Sequence, residues 1–374
     1  MHMRTEILKI IEGGLERNSE KVKSYAKLMS EKLQDQGEVK FAARITSLLD
    51  SKTAAHPVYL DEFMTKPVDQ DSRIDMIEVS MAGSFNEEII LPDIITMKID
   101  NYIESLKGRD KFLELGLDLP ESLLLYGPPG CGKTSIAHYI SNKTGLPLVT
   151  AKLDGLISSL LGSTAKNIRK IFEYAQERPC ILFLDEFDAI AKARDDEHEV
   201  GELKRVVNSL LQNIDKFNTN SILIAATNHA KLLDPAVWRR FSNVIEIPKP
   251  SKEEIEKILK HNLKIVKANF LKDKKKVNII TELLVGMSPS ELKSICFNCV
   301  KQSILKDEKT ISYATFLYQL YLSKDNYNDQ DSLVKFLNTS GVSQISISKT
   351  IGISQRQVRN ILEIKGVEKT NDKK

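Results

Sequence analysis

A lysine, a threonine and two neighbouring carboxylates hold the chemistry of this chain. Lys133 and Thr134 close the run Gly127-Pro128-Pro129-Gly130-Cys131-Gly132-Lys133-Thr134, and Asp185-Glu186 begins 52 residues beyond the lysine. The run has the form G-x-x-x-x-G-K-[ST]: successive backbone N–H groups curl around phosphates, the lysine reaches the outer ones, and the hydroxyl holds Mg²⁺. This chemistry needs a strand before the loop and a helix after it. Leu123-Leu124-Leu125-Tyr126 supplies the first and Ser135-Ile136-Ala137-His138-Tyr139-Ile140 the second, so the phosphates meet a helix N-terminus. Residues Gly127 to Ser135 are therefore the expected site of a nucleoside triphosphate.

The carboxylates follow Cys180-Ile181-Leu182-Phe183-Leu184, an apolar strand, and ligands of parallel sheets sit beyond the strand carboxyl ends. Asp185 is expected to hold Mg²⁺, often through water, because magnesium takes oxygen ligands in near-octahedral geometry. Glu186 is expected to orient and polarise the attacking water, since phosphoryl transfer depends on positioning more than on covalent chemistry. A further strand, Ile222 to Ala226, ends at Thr227-Asn228, where an amide can bond both the γ-phosphate and that water. Downstream, Asp234-Pro235-Ala236-Val237-Trp238-Arg239-Arg240-Phe241 sets two arginines at the end of a short helix. A guanidinium supplied across a subunit boundary would neutralise charge developing on a neighbour's nucleotide.

These residues need a framework. From about residue 91, apolar strands (Leu123–Tyr126, Leu148–Ala151, Ile181–Leu184, Ile222–Ala226, Val244–Ile247) alternate with amphipathic helices, which implies an α/β fold with a parallel sheet covered on both faces. From 251 to about 322 only helical periodicity remains. Residues 4–50 repeat apolar positions at helical spacing in three stretches and predict an all-α module. Residues 51–90, with Pro57, Pro67 and short mixed runs, read as a linker. The expected organisation is thus a helical module at 4–50, a linker at 51–90, an α/β subdomain at 91–250, a helical subdomain at 251–322 and an all-α unit at 330–374.

Composition narrows the class. The chain has 374 residues, 41% hydrophobic and 28% charged, with a net charge of +3. No overall basic field argues for nucleic acid. No apolar run approaches the ~20 residues of a membrane span, and no secretory segment opens the chain. The expected location is the cytoplasm, without membrane contact. Four cysteines are too few for a disulfide framework, and Cys296 and Cys299 sit at i,i+3 in a helical pattern, which reads as core.

The motifs together resemble the AAA branch of P-loop ATPases. The matching stretches are the phosphate loop (Walker A), ILFLDEFDAIAKAR at 181–194 (Walker B), ILIAATNHAKLLDPAVWRRF at 222–241 and GMSPSELKSI at 286–295. The resemblance spans residues 92 to 320. It implies ATP and Mg²⁺ as ligands, an α/β ATPase subdomain with a helical lid, and a ring, usually a hexamer. It makes Asn228 the sensor-1 residue and Arg239 and Arg240 arginine-finger candidates. It brings Gly286 and Ser288 of the lid toward the adenine. His261 matches a position near the base and reads equally as a partly buried helix histidine. Two departures stand out. Many family members place Pro-Gly between the two arginines; here Arg239 and Arg240 are adjacent, a shorter form similar to the katanin-like branch. The pore loop, usually aromatic-aliphatic-glycine, is Leu160-Leu161-Gly162, and leucine grips an extended peptide with less area than an aromatic.

The ends suggest partners. The N-terminal helices resemble adaptor-binding modules in layout and match a generic helical bundle as well. At the C-terminus, Ile347 and Ile351, a turn at Gly352, a Ser354/Gln357 capping box, and Val358, Ile361 and Leu362 on one face resemble a helix-turn-helix. This leaves Gln355, Arg356, Arg359 and Asn360 outward, residue types that read base edges and phosphates. A small helical domain for protein contacts is the other reading. The sequence therefore points to an ATPase ring that remodels or unfolds a protein client, with an adaptor at the N-terminal helices or a separate protease beside it. The alternatives are a DNA-tethered ATPase and an assembly switch set by ATP.

Overall fold

The computed structural model describes residues 4–15, 19–35, 38–50, 66–67, 75–85, 87–116, 122–153, 161–188, 200–217, 221–324 and 329–368. At the N-terminus, α1 (Arg4–Leu15), α2 (Ser19–Asp35) and α3 (Val39–Asp50) pack in succession. The polar Ser30 hydroxyl is buried between α2 and α3, where it donates to the Ala42 carbonyl at 2.9 Å.

A six-stranded sheet forms the centre, with β1 (Glu78–Ser80), β2 (Ser122–Tyr126), β3 (Leu148–Lys152), β4 (Ile181–Asp185), β5 (Ile222–Thr227) and β6 (Asn243–Glu246) in the order β1-β3-β4-β5-β2-β6. All pairings are parallel except β1 with β3. The five parallel strands lie within a residue or so of their expected bounds. Continuous apolar runs form them because both faces are covered. Along β4, Leu182 and Leu184 enter one core with Phe172 and Val206, while Ile181 and Phe183 enter the opposite core with Ile99 and Ile136. The first core is closed by α7 (Leu161–Gln176) and α8 (Val200–Lys216), the second by α4 (Asp93–Lys107) and α6 (Lys133–Thr144), after the short α5 (Arg109–Glu114). The antiparallel β1 corrects the expectation of an irregular linker throughout 51–90: three residues at a sheet edge leave too short a pattern to read.

After the short α9 (Pro235–Trp238), the chain becomes a helical cap: α10 (Lys252–Asn262), α11 (Lys274–Leu284), α12 (Pro289–Leu305) and α13 (Tyr313–Ser323). Three more helices follow, α14 (Gln330–Thr339), α15 (Gln344–Ile351) and α16 (Gln355–Glu368). Their Leu333, Val334, Leu337, Ile347 and Val358 join the same apolar core as Phe316, Leu317 and Leu320 of α13. The sequence pattern separates these helices, whereas α13 is apolar on more than one side and needs cover on each. The Tyr313 hydroxyl ties the two parts by donating to the Ser340 carbonyl at 2.8 Å. Cys296 and Cys299 are fully buried in this core; burial pushes the Cys296 thiol up to about 12 and the Cys299 thiol higher still. Among the described residues no helix is long and apolar enough to cross a membrane.

Candidate active site

The site begins with a backbone constraint. Gly127, leaving β2, has φ 145°, and a Cβ there would lie 2.1 Å from the Ile247 carbonyl oxygen, so only glycine lets the chain turn against β6. The loop then opens α6 at Lys133 with no side-chain cap on its first N–H groups, leaving them for an anion. Lys133 is 6% exposed and its ammonium is held inside the loop, donating to the carbonyls of Gly127 (2.8 Å) and Pro128 (2.9 Å). Burial lowers its pKa, against the pull of neighbours that include Asp185 and Asp188. Phosphate oxygens arriving at this loop would replace those carbonyls as partners.

Beside the loop, Thr134 Oγ1 donates to Asp185 Oδ2 at 3.0 Å. Two oxygens so close, both lining the cleft, fit a small hard cation that fills its remaining positions with water and phosphate. Glu186 follows at φ 55°, a left-handed backbone held by its own N–H donating to Asp185 Oδ1 at 2.9 Å. Such strain costs about 1–3 kcal/mol and is concentrated at functional sites.

A cleft of about 730 Å³ collects these groups. Pro129 to Ser135, Asp185, Glu186 and Asn228 line it from the sheet side, and Ile258, His261, Pro289, Ser290 and Lys293 line it from the cap. The segment Glu87–Ile90 completes it. Ile89 and Leu91 pack on the sheet core while Ile90 packs on the cap core, so this segment lies between the two. Two contacts fasten it to the cap: Glu88 Oε2 lies 2.9 Å from His261 Nδ1, and Glu87 forms an ion pair with Lys293 at 2.8 Å. The sequence singled out none of Glu87, Glu88 and Lys293.

Gly286 and Ser288 do not line the cleft. Gly286 has φ 88° and its carbonyl accepts from Lys249. Ser288 caps α12 in a reciprocal box with Glu291 and abuts the phosphate loop. A Cβ on Gly130 would come within 2.9 Å of Ser288 Oγ and 3.0 Å of Ser290 Cβ, and Ser290 N–H donates to the Gly130 carbonyl at 3.1 Å. The cap thus bonds directly to the loop.

The arginines separate. Asp234 caps α9, accepting from Ala236 N–H at 2.8 Å, and buried Val237 and Phe241 anchor the segment. Arg240 turns back to Asp215 of α8, through Nε at 2.7 Å and Nη2 at 3.0 Å, and its Nη1 donates to the Ala236 carbonyl at 2.7 Å. Arg239 is exposed, lines no part of the cleft, and has no side-chain partner among the described residues. Leu160 lies outside the described residues; Leu161 and Gly162 open α7. At the C-terminus, Gly352 has φ 82°, the Ser354–Gln357 box forms, and Gln355, Arg356, Arg359 and Asn360 are all exposed on α16.

A parallel sheet with a phosphate loop after one strand and paired carboxylates after another defines a P-loop nucleoside triphosphatase. The sequence profile of the ATPase family associated with various cellular activities (AAA) matches residues 123–249. An uncharacterized AAA family ATPase of Sinorhizobium fredii is 38% identical over 246 residues, 66% of this chain and 73% of that protein. Proteasome-activating nucleotidase 1 of Haloferax volcanii and the proteasome-activating nucleotidase of Pyrococcus furiosus are 35% and 36% identical, each over 57% of this chain. The chain spans about half the length of these two nucleotidases, 53% and 54%. This chain belongs to the AAA family, and it is an ATPase.

Proposed function

We propose that the chain forms a ring, a hexamer by family resemblance, that binds Mg·ATP between neighbouring subunits and uses hydrolysis to remodel or unfold a protein client. One observation carries the reading: the cleft gathers Lys133, Thr134, Asp185, Glu186 and Asn228 from one chain, while Arg239 stands exposed away from it. Among the described residues the cleft is lined by lysines and by no arginine, and a neighbouring copy presenting Arg239 would supply the guanidinium that neutralises transition-state charge. Arg240, forked onto Asp215, acts as the strut that fixes this corner. Within the chain, Lys133 and the loop N–H groups bind the outer phosphates, Glu186 takes the attacking water, and Asn228 aligns that water with the γ-phosphate. Magnesium, when bound at Thr134 and Asp185, neutralises phosphate charge.

The kinship with proteasome-activating nucleotidases favours unfolding, with Leu160-Leu161-Gly162 gripping the client and the N-terminal helices receiving a client or adaptor; a separate protease would fit the same layout. The test is ATP-driven loss of fluorescence from a stably folded fluorescent client carrying an unstructured tail. Unfolding that needs ATP and fails in Glu186→Gln supports the reading. An active ATPase that leaves every tailed client folded contradicts it.

A second reading rests on the four exposed side chains of α16, Gln355, Arg356, Arg359 and Asn360, which suit a DNA groove and would tether the ring to DNA. Binding to duplex DNA that weakens with salt, and loses part of its salt slope in an Arg356→Ala/Arg359→Ala variant, supports it. Salt-independent binding or none removes it.

A further inference from the structure

Asp188 has no part in the roles described so far, and resting on the assignment of Asn228 we infer that it is a positioning residue for ATP hydrolysis, clamping the turn that carries Asn228 to the strand end that carries Glu186. Asp188 is 3% exposed. Its Oδ1 accepts from two donors of the β5 end at once, Thr227 Oγ1 at 3.1 Å and the Asn228 backbone N–H at 3.1 Å. Its Oδ2 lies 4.0 Å from His229 Nε2. One residue earlier, Phe187 N–H donates to the Ala226 carbonyl at 2.9 Å, and Thr227 Oγ1 in turn accepts from His229 N–H at 3.1 Å. Residues 226–229 are thus fastened to residues 187–188 through a carboxylate, not merely packed against them.

A buried carboxylate is costly unless its oxygens are bonded, and Asp188 Oδ1 meets that need with two donors, both from the end of β5. The bond to the Asn228 backbone fixes the direction in which that side chain leaves the strand. Asp188 also stands two residues from Glu186 in the same turn. The two groups that act on the water are therefore referenced to one carboxylate, and a shift of about 1 Å in either is enough to cost a hundredfold in rate.

The experiment is a double-mutant cycle on the full-length ATPase with Asp188→Ala and Asn228→Ala, reading kcat, KM and ATP affinity. Each single change is expected to lower kcat by about tenfold to a hundredfold with ATP affinity nearly unchanged, and the double change to fall no further than the worse single. Asp188→Asn, which keeps an acceptor oxygen in place, is expected to recover most of kcat. Losses that multiply in the double variant, or a folded Asp188→Ala with wild-type kcat, overturn the inference. If Asn228→Ala itself keeps wild-type kcat, the assignment of Asn228 fails and takes the inference with it. Should Asp188→Ala not fold, the isosteric Thr227→Val carries the same cycle: a smaller fall in kcat, non-additive with Asn228→Ala, supports the clamp, and an unchanged kcat refutes it.

Discussion

Thr134 Oγ1 and Asp185 Oδ2 are 3.0 Å apart although the residues are 51 positions apart in the chain and their strands are separated in the sheet by β5. The hydroxyl comes from the first turn of α6 and the carboxylate from the end of β4, so the fold itself assembles the oxygen pair. Removing divalent cations is expected to abolish turnover while ATP binding survives in weakened form. Thr134→Ala and Asp185→Asn should each raise the Mg²⁺ concentration needed for half-maximal rate by about tenfold or more. A magnesium titration of ATPase rate checks this.

The state of Lys133 predicts a stability difference of unusual sign. Its folded pKa lies below its unfolded value, so between the two the unfolded chain holds more protons and this residue's contribution to stability rises with pH. Below that alkaline window both states are protonated and the cost of the buried charge is constant. Lys133→Met should therefore lose ATP affinity yet melt, without nucleotide, no lower than the wild type at pH 7. The difference should shrink toward pH 10. Thermal melts of both proteins at the two pH values check it.

Gly130 joins loop to cap. Alanine there would meet Ser288 Oγ at 2.9 Å and Ser290 Cβ at 3.0 Å, on a backbone with φ 72°. Gly130→Ala should cost about 1–3 kcal/mol through strain and push α12 off the loop. Chemical denaturation should show the loss, and ATP affinity should fall with it. An equal substitution at Gly132, where a Cβ meets nothing within 4 Å but φ is 94°, should carry the backbone cost without the displacement of the cap.

Arg240 and Arg239 should respond differently to the same change. Arg240→Ala removes a two-pronged contact with Asp215 and a bond to the Ala236 carbonyl, and should destabilise the chain by about 1 kcal/mol, a modest figure because the pair is partly solvated. Arg239→Ala should leave the melting temperature unchanged while lowering kcat by about a thousandfold. Paired melts and rates distinguish the strut from the finger.

Much of this was legible in the sequence. The parallel strands were readable because burial on both faces writes an unbroken apolar run, and the loop and carboxylates because strand ends are where such a sheet places its ligands. β1 was not, since three edge residues carry no period. Asp188 was hidden by its company: in Asp185-Glu186-Phe187-Asp188 nothing local says which carboxylate turns inward, and the answer lies in the donors of Thr227 and Asn228 on another strand. Ser288 was placed near the nucleotide by resemblance, whereas its capping box turns it onto Gly130. The shared core of α13 with the last three helices was equally out of reach, because apolar spacing tells which faces are buried and not against what.

The central claim is that each ATP site is completed by Arg239 of a neighbouring copy, and a mixing experiment tests it most directly. Glu186→Gln and Arg239→Ala are each expected to be nearly inactive alone. Co-expressed and assembled together, they should recover roughly a quarter of wild-type turnover, the share of random interfaces in which an intact Glu186 meets an intact Arg239. Mixed assemblies that stay as inactive as their parents would contradict the claim.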